Sequence, residues 1–242
     1  MSTELKPETL EAFKQYVAKV EATLDQRDNG GKPFLWLDEH PQQRQETLQG
    51  EIVVHQFGDD IIEVKSGLIH HWLGAAFMPG VTLDEATNLL SDAEKHVDYY
   101  PEVVESEVLS REGDVIHQRM RTSVKKVLTV VLDMELEANH QRLNDERHTI
   151  RSYSIRVSEV KDHGTQDEEV LPDGEGTGFM WRLNSYWRLE AVDGGVLTEL
   201  ETVSLSRGIP FGLGMIIKPF VVKVPQESLV STLTSTRNAL AK

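Results

Sequence analysis

Val127–Ala138 reads VLTVVLDMELEA, and its residues sort by parity: Leu128, Val130, Leu132, Met134 and Leu136 on one side, Thr129, Asp133 and Glu135 on the other. Successive side chains of an extended chain point to opposite faces, so this stretch is a strand with one buried and one wet face, the habit of antiparallel sheets. The period of two persists around it for about a hundred residues after Tyr99-Tyr100-Pro101. Turn residues divide that region into hairpins. Val103–Leu109 meets Val115–Ser123 across Arg111-Glu112-Gly113-Asp114, Val127–Ala138 meets His148–Val160 across Asn144-Asp145-Glu146, and Trp181–Leu189 meets Val196–Leu205 across Val192-Asp193-Gly194-Gly195. The result is an antiparallel meander.

The flanks are helical. From Pro7 to Gln26 the apolar residues Leu10, Phe13, Val17, Val20 and Leu24 recur at steps of three and four, marking one helical face. Asp28-Asn29-Gly30-Gly31 stops that helix, and Phe34–Gln49 reads as a polar connector anchored by Phe34-Leu35-Trp36-Leu37. Gly50–Phe57 and Leu68–Phe77 read as strands. Thr82-Leu83-Asp84-Glu85 is a capping box, so a helix starts at Leu83 with Ala86, Leu89, Leu90 and Ala93 as its buried side. Lys161–Gly178 is acidic and glycine-rich, the composition of a long exposed loop. Its Gly174, Gly176 and Gly178 read as flexibility, not as a phosphate cradle. Pro225 opens the last helix at its first position, with Leu229, Val230, Leu233 and Leu240 as its apolar side. The apolar run Ile209–Val224 is too short, and too interrupted by Pro210, Gly212, Gly214, Lys218 and Pro219, to span a bilayer. It reads as core, lid or membrane-touching surface.

The totals narrow the function. Lys and Arg number 25 against 40 Asp and Glu, and a net charge of −15 repels phosphate backbones, so nucleic acid is not an expected partner. The absence of cysteine removes disulfides, thiolate nucleophiles and thiolate metal sites. There is no HExxH, GxSxG or Walker loop, and no cofactor or metal is expected. Met1–Thr9 carries no signal pattern, so the chain as written reads as cytoplasmic; a chain trimmed of its signal would read the same. No pattern specifies an oligomeric state.

A short β segment, a capped helix leading into Tyr100-Pro101-Glu102-Val103-Val104-Glu105-Ser106, long antiparallel strands with Trp187-Arg188-Leu189-Glu190 before a Gly-Gly hairpin, and a closing amphipathic helix together resemble the START-like superfamily, also called SRPBCC or Bet v 1-like. The resemblance covers Leu68–Lys242. It implies an α+β helix-grip fold, a curved antiparallel sheet wrapped around a long C-terminal helix, here with an extra N-terminal helix. Residues 1–49 then form the helix and connector, and 50–242 a START-like ligand-binding domain. Such domains hold lipids, sterols, polyketides, hormones or aromatic substrates, and a minority catalyse cyclisation, aromatisation or hydrolysis. The expected partner is therefore a hydrophobic small molecule or lipid. One rival reading is a cyclase- or aromatase-like enzyme using an inward His or Tyr; the other is a membrane- or protein-docking module using residues 209–224.

Composition independently favours a cavity. Aromatics make up only 7% of the chain, little bulk to fill the space beneath a sheet that arches over one helix. Six residues are candidates for its lining: His71, Trp72, Arg121, Trp181, Tyr186 and Arg188. In the last hairpin Arg182, Asn184, Tyr186 and Arg188 share a face with Glu199 and Glu201, opposite Trp181, Leu183, Trp187, Leu189, Val196 and Leu200. That polar face is either an exposed ladder of ion pairs, each worth roughly 0–1 kcal/mol, or a lining in which Arg188 and Tyr186 fix a ligand while Glu201 holds the guanidinium. His70 and His71 project to opposite faces and cannot chelate one ion together. His117, Arg119 and Arg121 share a face that is either solvated or, turned inward, a clamp for a carboxylate or phosphate.

Overall fold

A computed structural model of the chain describes residues 3–58, 61–125, 129–209 and 214–241, with side chains for all of these but 214–222. In chain order come β1 (Thr3–Glu4), α1 (Pro7–Asp28), a 3-10 turn (Trp36–Glu39), α2 (Pro41–Leu48), β2 (Val53–Gln56), β3 (Ile62–Val64), β4 (Gly67–Pro79) and α3 (Leu83–Ser91). A second 3-10 turn (Ala93–Lys95) leads to α4 (His96–Tyr99), followed by β5 (Val103–Glu112), β6 (Val115–Lys125), β7 (Thr129–Arg142), β8 (Arg147–Lys161), β9 (Glu169–Val170) and β10 (Glu175–Gly176). Then β11 (Arg182–Val192), β12 (Gly195–Arg207) and α5 (Gly214–Leu240) complete the chain. The main sheet is antiparallel in the order β2-β4-β12-β11-β8-β7-β6-β5, with β3 beside β4 and β9 beside β8. The α+β helix-grip architecture expected from the sequence is the one observed.

Local chemistry explains the elements. The β11–β12 hairpin closes on a two-residue Asp193-Gly194 turn, with Gly194 at φ +83°, and the parity argument holds: Arg188 lies opposite Glu199 and Tyr186 opposite Glu201. The capping box forms as read, the Thr82 hydroxyl accepting from the Glu85 amide while the Glu85 carboxylate accepts from the Thr82 amide. Val127 and Leu128 lie outside the described residues.

Both faces of the sheet are covered. On the inner face Leu229 and Leu233 of α5 meet Trp72, Trp187 and Leu200, and α3 adds Leu83, Ala86, Leu89 and Leu90. Gly74 allows that approach: a Cβ there would lie 2.6 Å from Leu233 Cδ1 and 2.9 Å from Leu229 Cγ. On the outer face Phe13, Val17, Val20 and Leu24 of α1 pack on Ile69, Tyr186, Val203 and Leu205. Phe34, Leu35, Trp36 and Leu37 pack beside them on Leu73, Ala75 and Leu197.

Three expectations change. Residues 41–48 form α2 inside the supposed connector; PQQRQETL has no apolar stripe to announce a helix, though Pro41 suits its first position. The last helix begins at Gly214, so Pro219 and Pro225 lie within it. Each proline removes one N–H donor, but the flanking turns continue the helix through both; Pro210 falls outside the described residues. Finally, the 161–178 segment is tied down by β9 pairing with β8 and β10 with β1. Its glycines do build an anion cradle, one filled by the chain itself: the Glu159 carboxylate accepts from the amides of Thr177, Gly178 and Phe179 and from the Thr177 hydroxyl.

Candidate functional site

Register across the inner face lays out two rows. One runs Ala138, Ser152, Ser185, Thr202, Trp72; the other runs Leu136, Ser154, Leu183, Ser204, His70. Five of these are small hydroxyl residues. Ser185, Thr202 and Ser204 are half-buried, whereas Asn184, Tyr186, Glu201 and Val203, their neighbours on the outer face, are buried; on β8 Ser152 and Ser154 are half-buried, as are Arg151 and Tyr153. The inner face is therefore partly exposed here, beside the point where Leu229 and Leu233 close on Gly74. Short side chains leave this part of the inner face open among the described residues.

The two rows are neutral. These rows contain no Lys, Arg, Asp or Glu; Asp133, Glu135, Arg156, Arg188 and Glu199 take the outer positions of the same strands. His70, pressed down to a pKa of about 4 by burial, shares a 2.8 Å hydrogen bond between Nε2 and the Ser206 hydroxyl and is uncharged at neutral pH. Trp72 is 5% exposed, and its indole N–H has no acceptor among the described residues. The arrangement suits an apolar guest bearing uncharged oxygens.

No family model and no curated protein sequence matches the chain. Solved structures do match. A protein from Thermus thermophilus superposes with a TM-score of 0.50 at 20% identity, over 69% of this chain and 94% of that one. The Zhui aromatase/cyclase from a Streptomyces species gives 0.50 at 12% identity, over 71% and 93%. A STAR-related lipid transfer protein from Xanthomonas axonopodis gives 0.49 at 17% identity, over 76% and 100%. The chain has a START-like fold.

On this START-like sheet Trp72 alone of the six sequence candidates lies on the inner face. The alternation that puts Trp72 inside puts His71 outside, and Tyr186 and Arg188 follow it by register. Trp181 precedes β11, and its ring joins Phe13 and Leu205 under α1 rather than the inner face shared by Trp187 and Leu189. Arg121 is on the outer face and is not solvated: with Arg119 and Arg156 it surrounds Asp133, which is 0% exposed. Burial pushes the Asp133 carboxyl up, but bonds from the three guanidiniums outweigh it and hold the pKa at about 2. Sequence reasoning misses the hydroxyl rows, although Ser152/Ser154 and Thr202/Ser204 are spaced by two and so fall on one strand face.

The polar face of β11 and β12 is neither an exposed ladder nor a cavity lining. It is roofed by α1 and residues 34–37. Arg188, 3% exposed, donates from Nε to the Phe34 carbonyl at 2.8 Å and from Nη2 to Asp28 at 2.7 Å, with its guanidinium over the Phe34 ring. Asp28, not Glu201, holds it. Tyr186 donates to Glu21 at 3.1 Å. Glu199 accepts from the amides of Leu37 at 2.8 Å and Trp36 at 3.0 Å, yet burial outweighs these bonds and pushes its carboxyl up to about 7. His71 links Tyr16, 2.8 Å from Nδ1, to Glu201, 2.7 Å from Nε2. An ionised carboxylate only accepts, so Nε2 carries the proton, and in a neutral ring Nδ1 accepts from the tyrosine hydroxyl. Beneath α1 these groups border a cleft of about 210 Å³ walled by Tyr16, Trp36, Phe57, His71, Arg188 and Glu201. Among the described residues no cluster of three metal-ligating side chains occurs, and no helix is long and apolar enough to cross a membrane.

Proposed function

We propose that this chain binds a neutral, largely apolar small molecule bearing hydroxyl or carbonyl groups, in the hollow between the inner face of the sheet and α5, and carries or senses it without transforming it. The observation that supports this most is the half-buried row Ser152, Ser185, Thr202, flanked by Trp72 and free of ionised groups. Apolar walls favour burial of hydrocarbon, while the hydroxyls exchange hydrogen bonds with oxygens on the guest. A carboxylate or phosphate head would enter this hollow without a cationic partner, a cost of several kcal/mol on the order of a desolvated ion. The carrier reading is preferred to a cyclase-like one because His71 and Tyr186 face away from the inner face and are engaged by Glu201 and Glu21, while the inward His70 is tied to Ser206 and kept uncharged by burial.

A sterol and a fatty acid carrying the same environment-sensitive fluorophore test the reading. The sterol is expected to bind saturably, and at least roughly tenfold more tightly than the fatty acid, the equivalent of about 1.4 kcal/mol. Equal affinity, or preference for the fatty acid, would overturn the neutral-ligand reading.

A further inference from the structure

The cleft on the outer face stands apart from the hollow, on the other side of the sheet. We infer that it is a second binding site, which takes a small primary amine with its ammonium group against Glu201 and Glu199.

Of the ionised groups bordering the cleft, Arg188 is taken by Asp28 and Arg27 by Glu39. Glu199, 1% exposed, is held by two backbone amides, and Glu201, 8% exposed, by His71 alone. The second oxygen of Glu201 has no hydrogen-bond partner among the described residues. Lys19 stands at the rim, exposed to solvent. The floor of the cleft thus holds two carboxylates, neither in a salt bridge with a lysine or arginine side chain among the described residues, and a buried carboxylate oxygen left without a partner draws a cation. Burial raises the Glu199 carboxyl even though Arg188 and Arg27 act to lower it. An ammonium group fits because it is a compact charge with three donors, enough for the free Glu201 oxygen and a neighbouring acceptor. Trp36, Phe57 and Val20 line the rest with apolar surface suited to a short alkyl chain rather than to a bare metal ion. A cleft of about 210 Å³ lies below the range of drug-sized pockets, which limits the occupant to a small molecule.

Isothermal titration of the full chain with n-butylamine hydrochloride at pH 8 tests this, with sodium butyrate, 1-butanol and sodium chloride as controls. Saturable binding is expected for the amine alone, and Glu201→Gln, which keeps the acceptor for His71 but removes the charge, is expected to weaken it at least roughly tenfold. Wild-type NMR gives a readout that needs no variant: the amides of Trp36 and Leu37 should shift on adding amine and not on adding butyrate. Binding of the fluorescent sterol should be unchanged by Glu201→Gln, so failure here and failure of the inner-hollow reading are separate results. Equal responses to butanol, butyrate or sodium, amine binding that survives Glu201→Gln intact, or no response at all because the cleft holds only water would each overturn the inference.

Discussion

Two substitutions on the inner face, Ser185→Leu and Gly74→Ala, should change stability in opposite directions. Ser185 lies between Ser152 and Thr202, is half-buried, and makes no side-chain hydrogen bond among the described residues. Leucine there extends into the hollow and buries new hydrocarbon at about 0.8 kcal/mol per methylene, so the expected change runs from neutral to about 2 kcal/mol of added stability. At Gly74 even a methyl group would sit 2.6 Å from Leu233, and overpacking of this kind costs about 1–3 kcal/mol. Alanine's gain from a stiffer unfolded chain, at most about 1 kcal/mol, does not offset that. Urea unfolding at fixed pH measures both, and Ser185→Leu should also lower the affinity for the fluorescent sterol by occupying its space. If Ser185→Leu lost as much stability as Gly74→Ala, the space beneath the hydroxyl rows would be closely packed and the reasoning refuted.

Asp133→Asn should destabilise the fold by about 3–5 kcal/mol in the same assay, because it leaves Arg119, Arg121 and Arg156 without their shared counter-charge. Thr82→Ala should cost about 1 kcal/mol through loss of the α3 cap. Burial depresses His70 and His140 to about 4, so the stability they contribute is complete above pH 6.5 and is lost as pH falls toward 4. Glu199, raised to about 7, acts oppositely, its contribution being complete below pH 4.5 and lost as pH rises to 7. Two histidines outweigh one glutamate, so the urea midpoint should rise from pH 4.5 to 6.5, and His70→Gln should flatten that rise.

Period and turn chemistry made the strands legible, and parity put Arg188, Tyr186, Glu199 and Glu201 on one face from sequence alone. Parity could not say what covers that face. Its roof is α1, joined to it by Tyr186–Glu21 and Arg188–Asp28, contacts between residues more than a hundred positions apart that leave no local pattern. Polarity also misled: charged and aromatic residues drew notice as ligand contacts, while the side chains of the half-buried inner rows are mostly short and uncharged. Helix α2 escaped because its sequence has no apolar stripe, and the start of α5 because proline in a long helix resembles proline at its beginning.

Native mass spectrometry of the chain taken directly from its expression host tests the central claim most directly. The account predicts a population carrying one extra mass of a few hundred daltons, on the order of a sterol or polyketide, released by organic extraction as an uncharged compound. A bare chain that also fails to take up any neutral apolar compound added at saturation would contradict it.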